Sequence, residues 1–68
     1  MRLDNLSIAQ SQFEAMIVLG YQVPPAHYNL GVIALRRGNR TEAERRFKLA
    51  LQADPTFTAA RTALDRLK

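Results

Sequence analysis

The stretch YNLGVIALRRGNRTEAERRFKLALQADP, Tyr28 to Pro55, contains two amphipathic segments separated by Gly38-Asn39. In each segment apolar or small residues recur three and four positions apart, which is the spacing of one face of an α-helix. Glycine and asparagine favour a helix stop, and the residue before a proline avoids helical geometry, so Asp54-Pro55 ends the second segment. The stretch therefore predicts a helical hairpin.

The rest of the chain repeats this pattern at a distance of 34 residues. Shifting the sequence by 34 places the segment 7–17 on the segment 41–51, and places Ala26, Leu30 and Ile33 on Ala60, Leu64 and Leu67. Both copies begin with a hydroxyl residue followed three positions later by Gln or Glu, which is the pattern of a helix capping box. The pattern predicts that helices begin at the boxes Ser7/Gln10 and Thr41/Glu44.

These signals together predict an all-α fold of four helices joined by short turns. Gly20 follows the first helix, and Pro24-Pro25 opens the second, where proline is tolerated. Alternation of period two is missing, which disfavours strands. Successive helices joined by short turns are expected to be antiparallel neighbours. The predicted helices are 6–20, 25–37, 41–53 and 57–67.

The quoted stretch resembles the tetratricopeptide repeat (TPR) family, whose 34-residue unit is a helix–turn–helix. The resemblance is carried at the family's spacings by Leu30-Gly31, Gly38, Ala43, Phe47, Ala50 and Asp54-Pro55. It implies a single TPR-like domain, a fragment of an α-solenoid, spanning residues 1–68. Residues 24–57 would form a full repeat, 1–23 the second helix of a preceding repeat, and 58–68 the first helix of a following one. Gly31 and Ala43 would be small because the hairpin helices cross closely there.

In this family the first helices of successive repeats line a concave groove that binds an extended peptide or a partner's helix. The resemblance therefore implies a non-enzymatic protein–protein interaction module. The groove residues that it implies here are Tyr28, Asn29, Val32, Leu35, Arg36, Thr62 and Arg66. The alternative is that Tyr28, Val32 and Leu35 are simply covered by the first helix or by a neighbouring copy. The clamp that holds acidic tails in some family members is not expected, since only Asn29 matches it.

A second apolar stripe on the first helix suggests self-association. Roughly three repeats are usually needed to bury a stable core, and this chain holds about two. Either the chain is a fragment of a longer array or it completes its core by forming a homo-oligomer, which would make it a self-assembling scaffold. The stripe that would be involved consists of Ile8, Ala15, Val18 and Leu19.

Several chemistries are disfavoured by composition. The 68 residues contain no cysteine and one histidine, His27, so no metal site is expected. No nucleophile with a base, carboxylate pair or glycine-rich phosphate loop is present, so we expect no catalytic residue and no cofactor. His27 stands where the family usually has a large aromatic residue, which favours a structural role.

The net charge of +4 raises nucleic-acid binding as a further alternative. The stretch Leu35 to Lys48, called the basic stretch below, holds six cations and two carboxylates. However, Glu42 lies four residues before Arg46, and Glu44 four before Lys48, which is the favourable order for helical ion pairs. No aromatic residues alternate with the arginines to stack bases. We therefore expect a protein partner rather than a nucleic acid.

The apolar runs of the sequence are short. None approaches the ~20 residues needed to span a bilayer, so no membrane span is expected. The first ten residues lack the apolar block of a signal peptide, which favours a cytoplasmic location.

Overall fold

The computed structural model describes residues 5–67, which form four helices joined by short turns. They are α1 (Asn5–Leu19), α2 (Val23–Arg36), α3 (Arg40–Ala53) and α4 (Thr58–Leu67). The bounds differ from the predicted ones by at most two residues, and residues 5–67 contain no strand, so the all-α prediction is confirmed. The predicted domain limits at residues 1 and 68 lie outside the described residues.

Two glycines end α1 and α2 in the same way. Gly20 and Gly38 have φ angles of 73° and 76°, in the left-handed region that glycine enters without a steric penalty. At Gly38 the amide donates to the Leu35 carbonyl at 3.0 Å, and the next amide donates to the Ala34 carbonyl at 2.8 Å. This is the Schellman pattern, which satisfies the last carbonyls of a helix. The predicted stop signals are confirmed.

The predicted start of α3 at a Thr41/Glu44 capping box is wrong. The N-cap is Asn39, whose side-chain oxygen accepts a hydrogen bond from the Glu42 amide at 3.2 Å. Asparagine is among the strongest N-caps, and threonine is a weaker one, so the helix begins earlier. The N-cap thus lies two residues before the predicted one.

The predicted Ser7/Gln10 box is also wrong, because α1 already begins at Asn5 and Ser7 lies within its first turn. Both side chains instead accept hydrogen bonds from the guanidinium of Arg37, which stands after α2. Their polar atoms thus connect α1 to the end of α2. The hydroxyl of Ser7 lies 3.0 Å from Nη2 of Arg37.

The core lies where α2 crosses α3. Phe47 is fully buried beside Ala43 and Ala34, and a Cβ placed on Gly31 would lie 2.5 Å from Cε1 of the Phe47 ring. Glycine is therefore the residue that allows the ring to lie against the α2 backbone. Fully burying a phenylalanine side chain contributes roughly 1.5 to 3 kcal/mol. The expected close approach is confirmed at Gly31, and Ala43 is fully buried in the same core.

The other two helices flank this hairpin. α1 packs against α2, and α4 packs against α3. Ala26 and Leu30 of α2, Ala50 of α3 and Ala60 of α4 are also buried. Within α1, by contrast, no described residue is fully buried. The hairpin is thus well covered, whereas α1 lies at one end with much of its surface open.

Candidate partner-binding surface

The aromatic side chain of the predicted groove, Tyr28, lies between two phenylalanines. Its ring centroid is 5.7 Å from that of Phe47 and 5.8 Å from that of Phe57, the latter in an edge-on arrangement. These distances are in the favourable range for aromatic pairs. Tyr28 thus contacts α3 and the turn before α4, and because it is half-buried part of its surface stays open.

The remaining groove residues of α2 become more exposed toward its C-terminal end. Val32 is half-buried against the core, and Asn29 is half-buried as well. Leu35 is 40% exposed, and Arg36 in the last turn is exposed. The open part of this face is therefore an apolar side chain followed by a cation.

On α4, the predicted groove residues Thr62 and Arg66 are exposed, and Ala63 between them is half-buried. Within residues 5–67, neither Arg66 nor Arg36 forms an ion pair. The predicted groove residues include no carboxylate. The surface is thus weakly polar, with a positive charge at the end of each helix.

The cations of the basic stretch that lie on α3 are mostly paired within that helix. Arg45 and Arg46 each contact the carboxylate of Glu42 at 2.9 Å, and Lys48 contacts Glu44 at 3.4 Å. Hydrogen bonding from Arg45, and then from Arg46, lowers the pKa of Glu42 against the raising effect of its partial burial. The predicted pairs Glu42–Arg46 and Glu44–Lys48 are confirmed.

Three arginines have cross-helix roles that the spacing did not indicate. Arg37 joins α2 to α1, and Arg40 donates a hydrogen bond to the carbonyl of Leu67 at the end of α4. Arg46 reaches α1 as well, at 3.7 Å from the carboxylate of Glu14. Helix periodicity predicts the side of each helix on which these residues lie, but not which neighbouring helix their side chains reach.

His27 is part of the same junction. Its Nδ1 lies 3.3 Å from Nη1 of Arg46, so the ring accepts from the guanidinium and is neutral in this arrangement. Partial burial, followed by the charges of Arg46 and Arg45, lowers the pKa of His27. The contact links α2 to α3, which agrees with the structural role predicted for this residue.

A cavity of about 220 Å³ opens where α1, α2 and α3 meet. Its floor is apolar, formed by Leu30, Ile33 and Ala34, and its rim is polar. The rim includes Arg37 and Arg46, both of which already donate to other side chains. Among the described residues, no three His, Cys, Asp or Glu side chains are grouped as a metal site would need.

The stripe predicted for self-association is open on α1. Ile8 is 46% exposed, Val18 85% and Leu19 81%, and Ala15 is also exposed. Tyr21, in the turn after α1, is a further exposed apolar side chain at 62%, and it was missed because it lies outside the helical spacing. No helix within residues 5–67 is long and apolar enough to cross a membrane.

Comparison with known protein families identifies the central part of the chain. A sequence profile of the tetratricopeptide repeat family matches residues 24–57, which is half of the chain and the same segment that forms α2, α3 and the turn before α4. No curated protein and no solved structure matches the chain.

Proposed function

The chain belongs to the tetratricopeptide repeat family, whose units are non-catalytic protein-interaction repeats. We propose that it binds a peptide or a helix of a partner protein on the surface formed by the predicted groove residues of α2 and α4, called the α2–α4 face below. The four helices fit one full repeat flanked by two half repeats. In this proposal the half repeat formed by α4, which packs against α3, supplies the second side of the groove.

The observation that carries this proposal is the open end of α2. Leu35 is 40% exposed next to an arginine that has no ion pair within residues 5–67. The hairpin does not need either side chain for its core, which is made by Phe47 and its neighbours. A partner that covers Leu35 would remove apolar surface from water at roughly 25 cal/mol per Å².

The chemistry of the face defines the kind of partner segment. An aliphatic side chain of the partner would contact Leu35 and the open edges of Tyr28 and Val32. Carboxylates of the partner would pair with Arg36 and Arg66, since the face offers two cations and no acidic residue. We therefore propose an apolar segment that also carries acidic residues.

Most arginines of the basic stretch form contacts within the protein, which favours a protein partner over a nucleic acid. Four of the cations of the basic stretch, Arg37, Arg40, Arg45 and Arg46, hold helix surfaces or helix junctions together. A nucleic-acid surface needs several cations directed at phosphates and shows a steep decrease in affinity with salt. Absence of binding to random DNA or RNA at low salt is the expected result.

The proposal is tested by affinity capture with the intact chain and with charge-reversed variants. Arg66→Glu and Leu35→Asp should each lose the captured partner, with helicity by circular dichroism unchanged. Arg61→Glu is the matched control: it makes the same charge change on the same helix at an exposed residue outside the predicted groove. If Arg66→Glu and Arg61→Glu retain the same proteins as the unmodified chain, the α2–α4 face is not the binding surface.

A further inference from the structure

The side of α1 that faces away from α2 is a continuous surface without charge. Its seven members are all exposed and span about 140° of the helix at 100° per residue. The only charged residue of α1, Glu14, lies outside this arc and is directed toward Arg46. This surface, called the outer face of α1 below, consists of Asn5, Ile8, Ser11, Gln12, Ala15, Val18 and Leu19.

A preceding repeat would not cover the C-terminal end of the outer face of α1, where its most exposed apolar residues lie. In the 34-residue register, Val18 and Leu19 correspond to Gln52 and Ala53 of α3. Those two α3 residues are exposed although α3 has α2 and α4 packed against it. A helix added before α1 in the same arrangement would therefore leave Val18 and Leu19 in water.

The same register shows that the apolar character of this face is specific to α1. On α3 the corresponding residues are polar or charged, namely Glu42, Arg45 and Gln52. On α1 the same positions are Ile8, Ser11 and Val18. A solvent-facing helix side with large apolar residues that are more than 80% exposed is typical of an interaction surface.

We propose that the occupant of the outer face of α1 is a second copy of this chain, bound as an antiparallel pair of α1 helices around a two-fold axis. A two-fold contact requires a surface that is complementary to itself, so that if residue i meets residue j, residue j meets residue i. The stripe Ile8, Ser11, Ala15, Val18 has this property, because it reads large, small, small, large in both directions. Its midpoint is residue 13, so Ile8 meets Val18 of the second copy and Ser11 meets Ala15.

Size and charge agree with this arrangement. The two small residues at the centre let the helix backbones approach closely, while the large residues at each end cover the flanks. No like charges face each other, since the outer face of α1 carries none. The contact is limited to a helix of 15 residues, about 22 Å long, and interfaces of this small size are typical of weak, concentration-dependent association.

The first test is sedimentation equilibrium of the intact chain from about 1 μM to 1 mM. We expect a monomer–dimer equilibrium that Val18→Asp weakens by at least tenfold. The matched control is Gln52→Asp, which adds the same charge at the corresponding exposed position of α3 and should leave the equilibrium unchanged. A monomer throughout the range, or equal effects of the two variants, would overturn the proposal.

The second test measures the orientation of the two helices. The chain has no cysteine, so single-cysteine variants give an unambiguous disulfide pattern. When Ser11→Cys and Ala15→Cys chains are mixed and oxidised, the antiparallel pair predicts mixed disulfides in excess of both homodisulfides. A preference for homodisulfides would refute the antiparallel arrangement. Neither test depends on the α2–α4 face, so the dimer can fail without affecting the proposed function.

Discussion

The substitution Gly31→Ala tests the crossing of α2 and α3 most directly. The added methyl carbon would lie 2.5, 2.7 and 2.9 Å from Cε1, Cδ1 and Cζ of Phe47, whereas carbon atoms in contact are separated by about 3.5 to 4.0 Å. The ring would have to move by about 1 Å. It is fully buried, so it cannot turn into solvent.

The expected cost follows from two opposing effects. Overpacking a well-packed core costs about 1 to 3 kcal/mol, and a displacement of this size places Gly31→Ala at the upper end. Replacing glycine by alanine within a helix stabilises the helix by about 1 kcal/mol, because alanine has the higher helix propensity. The free energy of unfolding should therefore fall by about 2 kcal/mol, which for a domain of this size lowers the midpoint of thermal unfolding by about 8 to 16 °C.

The assay is urea and thermal unfolding followed by circular dichroism, with a double-mutant cycle as its control. In a Phe47→Leu background the smaller side chain leaves room for the methyl group. There Gly31→Ala should be neutral or stabilising by up to about 1 kcal/mol. If Gly31→Ala does not destabilise the chain that retains Phe47, or costs the same in both backgrounds, the close approach of ring and backbone is not what requires glycine.

Three further predictions concern the junction and the helix ends. The lowered pKa of His27 means that the folded chain resists protonation more than the unfolded chain, so the free energy of unfolding should fall as the pH drops from above 6.5 through the lowered value. A pH titration of stability should show this loss, and His27→Gln, which can still accept from Arg46, should reduce it; an unchanged slope would contradict the assignment. Asn39→Ala should lower the free energy of unfolding by about 1 kcal/mol by urea titration, whereas Asn39→Ser should retain most of the stability because serine also caps. Gly38→Ala should cost about 1 kcal/mol or more in the same titration, since its φ of 76° is unfavourable for a side chain, and a neutral result would argue against the left-handed turn.

Much of the fold follows from the sequence because its signals are local. Gly38 ends a helix by its own backbone preference, and apolar spacing shows which side of α3 is buried. The cap of α3 was also present in the sequence, as Asn39 followed three residues later by Glu42, but the hydroxyl of Thr41 offered a competing pattern. The choice between Asn39 and Thr41 depends on how strongly each residue type stabilises a helix start as its N-cap, and asparagine is the stronger of the two.

The contacts between helices could not be predicted in the same way. Arg37 and Arg46 look like surface cations in the sequence, yet one donates to α1 and the other reaches both α1 and α2. Which long side chain crosses to a neighbour depends on how the helices are rotated relative to each other. For the same reason, spacing placed Tyr28 on a second apolar stripe of α2 but did not show that Phe57 packs against the Tyr28 ring.

The departures from the 34-residue register also bear on how copies can assemble. An open head-to-tail array would set α4 of one copy against α1 of the next as α2 is set against α3, with Asp65 at the place of Gly31 and Phe13 at the place of Phe47. In the α2–α3 contact even a Cβ on Gly31 would be too close to the Phe47 ring, so an aspartate at the same place would clash with the ring of Phe13. Asp65 would also bring an unpaired carboxylate into the contact. Head-to-tail growth is therefore disfavoured, whereas the outer face of α1 can close a two-fold pair. The α2–α4 face shares no residue with that surface, so the proposed dimer would carry two open grooves and would bind a partner with two matching segments more tightly than one.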